Sequence, residues 1–398
     1  MKGMGSSIVI SGWGAISGAG IGAEQSIRNM FTPQGGRTPV KASPGIGTTL
    51  SDPVFEITEY HETPGVRRSL SLAVTAIREA LERAGLTERD LETVPTGVCF
   101  GTTIASQLNN LPLYKRIRNG EAAGLENELR EYLQSSLAEY IRRTFHLTGP
   151  EICVSNACAS GSDVLGIASM WIASGFCRRV IAVGADDINR VPIAGFHALG
   201  VASPEPCRPF DRDRKGLNLG EGSGALIVEE TSLVRERGMT PRISLAGYGN
   251  ACDAWHITSP HPEGRGLRTA VESALQSAGI TPDRIAFINA HGTSTLANDK
   301  CEGTLFPKIF GPDVKYISTK GWTGHTLGAA GALEAVFTIE MLLRGAVPPS
   351  RGFENPDPEI PVPPVSSVLT LDGPEYALST SLAFGGSNAA VVIGRISG

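Results

Sequence analysis

The feature that most constrains the fold of this chain is an internal repeat whose period is about half the sequence length. The segment 79–87, EALERAGLT, is echoed by the segment 273–281, SALQSAGIT. Each copy is typical of an amphipathic helix that a glycine closes, and each is followed by a charged turn and an apolar strand. The opening segments 8–14 (IVISGWG) and 243–249 (ISLAGYG) also correspond. The chain is therefore predicted to contain two related halves.

The order of elements within each half predicts a layered α/β fold. Helical patterns alternate with short apolar strands, as in sheets that helices cover. Residues 331–343 are apolar on most sides, so this helix is expected to lie between sheets. The predicted architecture is an α-β-α-β-α sandwich of two duplicated halves, residues 1–237 and 238–398. The charged stretch 105–143 is interpreted as a capping insertion in the first half, and the proline-rich stretch 348–364 as an ordered extended loop or a flexible surface crossing.

Composition narrows the class of protein. The chain has 398 residues and a net charge of −5, which argues against a nucleic-acid partner. Its seven cysteines are odd in number and lack paired metal-type spacing, so neither a disulfide framework nor a metal site is predicted. The apolar run 8–10 suits an opening strand rather than a leader or a membrane span. We therefore expect a protein of the reduced cytoplasm.

Cys158 is the residue with the strongest chemical signal. The apolar run 152–154 predicts a buried strand, and residues 161–174 have the apolar spacing of a helix. The small residues between them place Cys158 at the helix N-terminus, where unpaired N–H groups and the helix dipole favour a thiolate. Cys158 is therefore a candidate nucleophile. The other cysteines are interpreted as small core residues: Cys99, Cys153, Cys177, Cys207, Cys252 and Cys301.

Two histidines stand in equally unusual positions. His291 follows the predicted strand 286–289 and precedes a run of glycine and hydroxyl residues. His325 lies in a glycine-lined turn that leads into the apolar helix. Loops at strand ends and helix starts build sites in layered α/β folds, so both histidines are candidates. The remaining histidines are interpreted as surface or core residues: His61, His146, His197, His256 and His261.

Four motifs follow one another in an order that is typical of one family. They are NACASG at 156–161, HGTST at 291–295, a Lys-(x)4-His run at 320–325 with LGAAG at 327–331, and FGGSN at 384–388. With them, essentially the whole chain resembles the elongating β-ketoacyl-[acyl-carrier-protein] synthases of the thiolase-like superfamily. A Cys-His-His set distinguishes this class from thiolases, which pair two cysteines, and from the initiating synthases, which use Cys-His-Asn.

The resemblance implies a mechanism and a set of roles. Cys158 would carry an acyl chain from an acyl carrier protein, with the backbone N–H groups of Cys158 and Phe384 as the oxyanion hole. His291 and His325, as neutral donors, would stabilise the enolate that forms when malonyl-carrier protein loses carbon dioxide. Lys320 and Glu334 match the family lysine and buried glutamate, whose simpler explanation is an ion pair.

Further positions are implied at the substrate channel and its mouth. Thr293 and Thr295 match hydroxyls that hold the pantetheine arm, although turn capping would also explain them. Ile104 matches a residue that bounds the acyl pocket, and Trp322 could narrow that pocket. Basic residues are expected to meet the acidic carrier protein, namely Arg67, Arg68 and Arg208, with Lys115, Arg116 and Arg118 as possible additions. No bound cofactor is expected, because the carrier protein brings the 4′-phosphopantetheine.

The gating segment departs from the family pattern. Leu382 and Ala383 stand where Phe and Gly are usual, and Ala loses access to positive φ. With the charged stretch 105–143, this departure favours a specialised polyketide or polyene pathway over primary fatty-acid synthesis. Two alternatives stay open, a non-condensing chain-length-factor subunit and a thiolase-like acyltransferase that uses coenzyme A. A dimer is expected, either with a second copy or with a related subunit.

Overall fold

The computed structural model describes residues 8–32, 35–64, 66–103, 111–121, 123–126, 129, 136–373 and 376–396. The strands are β1 (Ile8–Ser17), β2 (Gly20–Ile21), β3 (Val40–Lys41), β4 (Pro53–Val54), β5 (Thr96–Gly101), β6 (Glu151–Val154), β7 (Arg179–Asp186), β8 (Gly222–Glu230), β9 (Ile243–Cys252), β10 (Ile285–Asn289), β11 (Tyr316–Ile317), β12 (Ala346–Val347), β13 (Leu369–Thr370), β14 (Tyr376–Leu382) and β15 (Ser387–Arg395). The helices are α1 (Ala23–Met30), α2 (Arg68–Arg83), α3 (Glu88–Thr93), α4 (Leu111–Arg118), α5 (Leu137–Thr144), α6 (Ser160–Ala173), α7 (Arg190–Ala198), α8 (Thr231–Glu236), α9 (Arg265–Ala278), α10 (Leu296–Phe310), α11 (Lys320–Thr323) and α12 (Ala330–Arg344).

The sheet repeats itself about its middle. Its strand order is β11-β10-β14-β15-β9-β1-β8-β7-β5-β6, with β2 paired to β1. From the middle outward, the first half has the order β1-β8-β7-β5-β6 and the second half has β9-β15-β14-β10-β11. The strands correspond one to one in this order, and both halves have the same pattern of parallel and antiparallel pairs. The halves meet where Val9 pairs with Ser244. The predicted duplication is confirmed, whereas the exact boundary after residue 237 stays a prediction.

Five layers follow from where the apolar faces are buried. Helix α2 covers the outer face of the first half-sheet, and α9 and α10 cover that of the second. Helices α6 and α12 lie between the two half-sheets, within the largest hydrophobic cluster. Ten consecutive residues, 330–339, are buried, as a helix between two sheets requires. The predicted position of this helix and the predicted α-β-α-β-α sandwich are confirmed.

The Gly-aromatic-Gly segment of the repeat has a packing role. A Cβ atom on Gly12 would lie 2.0 Å from the carbonyl oxygen of Ala80 in α2. In the second half, a Cβ atom on Gly247 would lie 2.2 Å from the carbonyl oxygen of Ala274 in α9. Only a residue without a side chain allows the helix backbone to approach the strand so closely. The same contact therefore explains the same motif in both halves.

Three expectations about burial need correction or completion. The strand β6 lies at the sheet edge, and its Ile152 is 37% exposed, so the prediction of a buried strand was wrong. Cys153 and Cys252 are exposed rather than buried in the core. Within the stretch 105–143, α5 packs against the outer layer of the first half, as a capping element would. Among the described residues, no helix has the length and apolarity that crossing a membrane requires.

Candidate active site

Cys158 lies in a tight loop between β6 and α6. Its side chain is buried, and the preceding Ala157 has a φ of +46°, in the left-handed region that non-glycine residues seldom adopt. The Asn156 side chain anchors the loop by donating to Asp163 at 2.6 Å and to Ser387 of the second half at 2.8 Å. Strained backbone of this kind persists where surrounding contacts hold it, and it is common at functional sites. The structure confirms that Cys158 lies at the start of a helix, two residues before α6 begins.

The two candidate histidines lie beside this thiol. The Nε2 atom of His325 is 3.0 Å from the Cys158 Sγ atom. The His291 ring meets the His325 ring edge to face, with 5.2 Å between centroids. All three side chains are buried, although His291 and His325 come from the second half and Cys158 from the first. The structure therefore brings together the residues that the sequence singled out.

Lys320 and Glu334 form a buried ion pair behind the histidines. The Lys320 ammonium is also 3.4 Å from His291 Nδ1, and because it can only donate, the proton of a neutral His291 belongs on Nε2. Burial, reinforced by the Lys320 charge, lowers the pKa of both His291 and His325 well below the usual value. Both imidazoles are therefore neutral at physiological pH, as the sequence interpretation required.

The Cys158 thiol does not behave as its helix position suggested. Burial raises its pKa to about 12, and the opposing effects of the Lys320 charge and the Phe384 N–H do not overcome this. The expectation of a resting thiolate was therefore wrong, because desolvation outweighs the helix terminus. The site holds a thiol whose nearest base is His325.

Phe384 contributes a backbone N–H donor near the thiol and a ring that lines the cavity. Its backbone N–H acts on the Cys158 sulfur to lower the pKa of the thiol, and its ring stacks on that of Phe196 at 5.4 Å between centroids. Gly385 and Gly386 supply the positive φ values of this segment, at +89° and +82°. Ala383 has no positive φ, so replacing the usual glycine costs no backbone strain in this conformation.

A cavity of about 370 Å³ connects these groups to the surface. Cys158, His291, His325 and Phe384 line its inner end. Thr293 and Thr295 line its wall, with their hydroxyls 2.9 Å apart, and α10 begins directly after them. A cavity that joins the surface to a buried thiol, two imidazoles and paired hydroxyls can admit a substrate to the nucleophile.

Comparison with known proteins agrees with this geometry. The model of the β-ketoacyl synthase N-terminal domain matches residues 6–233, and that of the C-terminal domain matches residues 243–354. The chain belongs to the β-ketoacyl synthase family. It is thus an acyltransferase that catalyses a condensation in fatty-acid or polyketide synthesis.

Two relatives with solved structures and one curated sequence illustrate the range of this family. The 3-oxoacyl-[acyl-carrier-protein] synthase 2 of Synechocystis sp. is 33% identical over 96% of both chains. The ishigamide ketosynthase/chain length factor is 30% identical, with a TM-score of 0.86 over 98% of this chain and all of that one. A ketosynthase in complex with its type II PKS acyl-carrier protein is 25% identical, with a TM-score of 0.88 over 98% of this chain and all of that one.

The remaining pocket predictions for this synthase have separate outcomes. Trp322 is buried in the central core and is not part of the cavity wall in the described residues, so the structure gives no support to a narrowing role. Ile104 lies outside the described residues. Leu382 and Ala383 both line the cavity beside Phe384, which places the departure from the family pattern at the site itself.

The predicted carrier-protein contacts divide into two groups. Arg67 is half-buried at the start of α2, and Arg208 forms a partly exposed ion pair with Glu354 at 3.1 Å. Arg68 instead points inward, where it donates to the buried Glu221 at 2.7 and 2.8 Å. The contact proposed for Arg68 is therefore corrected to a structural role, because a guanidinium held in this way is not presented to a partner. In the charged stretch 105–143, Lys115, Arg116 and Arg118 are exposed on α4.

Two carboxylates of the synthase site escaped the sequence interpretation. Glu302 in α10 accepts from the backbone N–H groups of His291 at 2.8 Å and Gly292 at 2.7 Å, and burial raises its pKa to about 7. Asp186, at the end of β7, accepts from three donors near the seam. An acidic residue inside an otherwise buried helix or strand end is the signal that could have identified both.

Proposed function

We propose that this β-ketoacyl synthase condenses an acyl chain held on Cys158 with malonyl-[acyl-carrier-protein] to give a 3-oxoacyl-[acyl-carrier-protein]. The 3.0 Å contact between the Cys158 thiol and His325 Nε2 carries the proposal. A thiol with a raised pKa needs a base within hydrogen-bonding reach to become a nucleophile, and His325 is that base.

The first half-reaction transfers the acyl group. The Cys158 proton passes to His325 Nε2 while the sulfur attacks the thioester carbon of the acyl-carrier protein. The N–H groups of Cys158 and Phe384 hold the resulting oxyanion. The bond to the phosphopantetheine sulfur then breaks, and the departing thiolate takes the proton from His325. The effect of the Phe384 N–H on the pKa of the Cys158 thiol supports the second of these donors.

The second half-reaction forms the new carbon–carbon bond. The malonyl thioester carbonyl accepts hydrogen bonds from the Nε2–H groups of His291 and His325 as carbon dioxide leaves. The electron pair of the broken bond becomes the enolate, whose α-carbon attacks the acyl carbon on Cys158. The Cys158–acyl bond breaks, and the thiolate is protonated by water. The neutral state of both imidazoles supports these roles, and His325 Nδ1, which has no hydrogen-bond partner among the described residues, leaves either tautomer accessible.

Lys320 and Glu334 serve this step through the histidines. The Lys320 ammonium keeps His291 in the Nε2–H tautomer, and Glu334 balances its charge. Thr293 and Thr295 would hold the pantetheine arm, and Arg67 and Arg208 would meet the acidic carrier protein. The enzyme itself would hold no bound cofactor, since the carrier protein brings the phosphopantetheine, and we infer a cytoplasmic location.

Two alternatives are weaker on specific grounds. A chain-length-factor role leaves the intact Cys158, His291 and His325 without purpose. A coenzyme A acyltransferase would have to turn over acyl-CoA as well as acyl-carrier protein, so comparing the two substrates separates the activities. The departure at residues 382–383 and the ishigamide relative favour a specialised pathway.

The test is to incubate the protein with a panel of acyl-carrier proteins and to weigh it intact. One acyl adduct is expected on the parent protein and none on Cys158→Ala. Absence of any adduct on the parent, or an adduct that survives in Cys158→Ala, contradicts the proposal.

A further inference from the structure

Asp186 is a fully buried carboxylate at the seam of the two halves. Its Oδ1 accepts from the Thr102 hydroxyl at 2.7 Å, and its Oδ2 accepts from the Thr103 N–H at 2.9 Å. The same Oδ2 accepts from the Gly328 N–H at 2.7 Å. The first two donors follow β5 of the first half, and the third lies three residues after His325 in the second half. One carboxylate thus links two strand ends of the first half to the loop that carries His325.

The loop that Asp186 holds is strained and tightly wedged. Leu327 has a φ of +54°, in the left-handed region that non-glycine residues seldom adopt. A Cβ atom on Gly328 would lie 2.6 Å from the carbonyl carbon of Thr102, so the turn presses against the end of β5. The Gly328 carbonyl oxygen lies 2.8 Å from the position of a Cβ atom on Gly161, in the first turn after Cys158. A strained turn persists only where its surroundings fix it, and this turn contacts the segments of both the nucleophile and the base.

The two ends of the His325 segment are held by different partners. On one side, the His325 N–H donates to the Asn218 carbonyl at 2.7 Å, and the His325 carbonyl accepts from Gly220 at 3.0 Å. On the other side, the Gly328 N–H donates to Asp186. Without that last contact the strained turn could relax, and the imidazole would lose its fixed position against the thiol.

We propose that Asp186 is a positioning residue that fixes the His325 imidazole against the Cys158 thiol across the seam of the two halves. Two of its three partners are backbone N–H groups that can only donate, so a side chain without an acceptor at this position leaves both of them unpaired. Asparagine can keep its oxygen on these two N–H groups and donate its N–H₂ to the Thr102 hydroxyl, so it preserves the contacts while it removes the charge. The proposal rests on the roles given above to Cys158 and His325.

The test compares Asp186→Ala and Asp186→Asn with the parent enzyme in three measurements: the kcat and KM of condensation, the rate at which iodoacetamide alkylates Cys158, and the melting temperature. Both variants remove the negative charge that helps to raise the pKa of the Cys158 thiol, but only Asp186→Ala removes the acceptor of the two backbone N–H groups. Relative to Asp186→Asn, Asp186→Ala is expected to lower kcat about tenfold or more, to leave the KM for malonyl-carrier protein within about twofold, and to slow alkylation about threefold. A kcat and an alkylation rate that agree within about twofold between the two variants overturn the proposal, whatever the melting temperature does.

Glu229→Gln is the matched control. Glu229 is equally buried, but it lies at the far end of the β7–β8 pair, where it binds Arg179 and Arg237. Its loss is expected to lower the melting temperature and to leave the kcat of the folded enzyme unchanged. If Glu229→Gln loses as much kcat as Asp186→Ala, the effect is general destabilisation and the proposal fails.

Thr102→Val tests the proposal if Asp186→Ala does not fold. It removes one donor and keeps the carboxylate, so a loss of kcat of about threefold is expected in the same direction. An unchanged kcat and alkylation rate in Thr102→Val overturn the proposal. Alkylation requires no condensing activity, so an enzyme that fails to condense contradicts the proposed function while the alkylation comparison still tests Asp186.

Discussion

At the scale of single residues, burial determines the charge of the three reactive side chains, Cys158, His291 and His325. Burial raises the pKa of the thiol to about 12 and lowers that of both imidazoles. Desolvation thus keeps all three groups neutral between substrates, because it penalises whichever form is charged. The nearby Lys320 opposes this effect at the thiol and reinforces it at the histidines, so the resting site carries its positive charge behind the reactive groups.

The raised thiol pKa predicts how Cys158 reacts with iodoacetamide. Because only the thiolate is alkylated, the rate should rise by about tenfold per pH unit from about pH 7 to about pH 9, without a plateau. The measurement is the pseudo-first-order rate of alkylation followed by intact mass. A rate that levels off below about pH 8 would mean that the resting site stabilises the thiolate after all.

The histidine roles predict different defects in the two half-reactions. His325→Ala should slow both acyl transfer and malonyl decarboxylation, because it removes the base beside the thiol and one enolate donor. His291→Ala should spare acyl transfer and lower decarboxylation by about a hundredfold or more, as loss of an oxyanion-type donor does. Acyl adduct formation and carbon dioxide release are measured separately. Unimpaired decarboxylation in both variants would refute the assignment.

Local sequence was enough to find the reactive residues, but not the residues that hold them. Cys158, His291 and His325 each stand in a short segment whose glycines and small residues already suggest a site. The role of Asp186 depends on a donor 142 residues away, and Arg68 reads as a surface cation until Glu221 is seen beside it. The pKa of Cys158 was misjudged for the same reason, since a helix start is visible in sequence and the burial around it is not.

At the scale of elements, the repeated Gly-aromatic-Gly segment sets how closely each outer helix packs on its half-sheet. The close approach in both halves comes from strand glycines that face helix carbonyl groups. The repeated sequence therefore reflects the same close packing in both halves, and it allowed the duplication to be predicted from short segments. The fold class was predicted from the alternation of helices and strands. What it did not reveal is which strand lies at the edge, because an apolar run such as 152–154 reads the same in a buried strand and in an edge strand.

Gly12→Ala should destabilise the protein because its Cβ atom would lie 2.0 Å from the Ala80 carbonyl oxygen. The expected loss in the free energy of unfolding is about 1–3 kcal/mol, typical of an overpacked site. Urea denaturation of Gly12→Ala and of Gly45→Ala measures it, since a Cβ atom on Gly45 would meet nothing within 4 Å. Equal stability of the two variants would contradict the packing role of Gly12.

Ala383 is expected to stiffen the segment that carries Phe384. Replacing it with Gly enlarges the backbone freedom of the segment by about 0.4–1 kcal/mol, which should speed amide hydrogen exchange about two- to fivefold. Exchange at residues 383–386 is measured by NMR or mass spectrometry, with the core strand β8 as the internal reference. Unchanged exchange in Ala383→Gly would mean that the stacking of Phe384 on Phe196, rather than residue 383, controls this segment.

At the scale of the whole molecule, the reaction depends on the seam between the halves. The first half supplies Cys158, and the second supplies His291, His325 and the Phe384 N–H. Duplication gives the two halves the same strand order, so equivalent strand ends converge on one pocket. The site could be predicted because its residues lie in those loops, whereas the precise contacts across the seam depend on how the halves pack.

The edge strand of the first half-sheet, β6, and the segment that follows it expose large apolar side chains. Ile152 in β6 is 37% exposed, Met170 in α6 is 49% exposed and Phe176 just after α6 is 69% exposed. We expect these side chains to form one face through which the synthase pairs, with a second copy or with a related ketosynthase-like subunit. Replacing a Phe in the buried centre of such an interface with a charged residue loses the free energy of burying its ring, about 1.5–3 kcal/mol. The replacement also leaves an unpaired charge in the interface.

Phe176→Glu should therefore convert a dimer into monomers at micromolar concentration, as measured by sedimentation velocity. Val368→Glu is the matched control, because Val368 is 55% exposed and lies just before β13 in the second half of the chain, so its change should leave the dimer intact. A parent protein that sediments as a monomer, alone and with a related subunit, would contradict the expectation. So would a Phe176→Glu variant that sediments like the parent, since an apolar face that tolerates a charge at its most exposed aromatic residue is not a subunit interface.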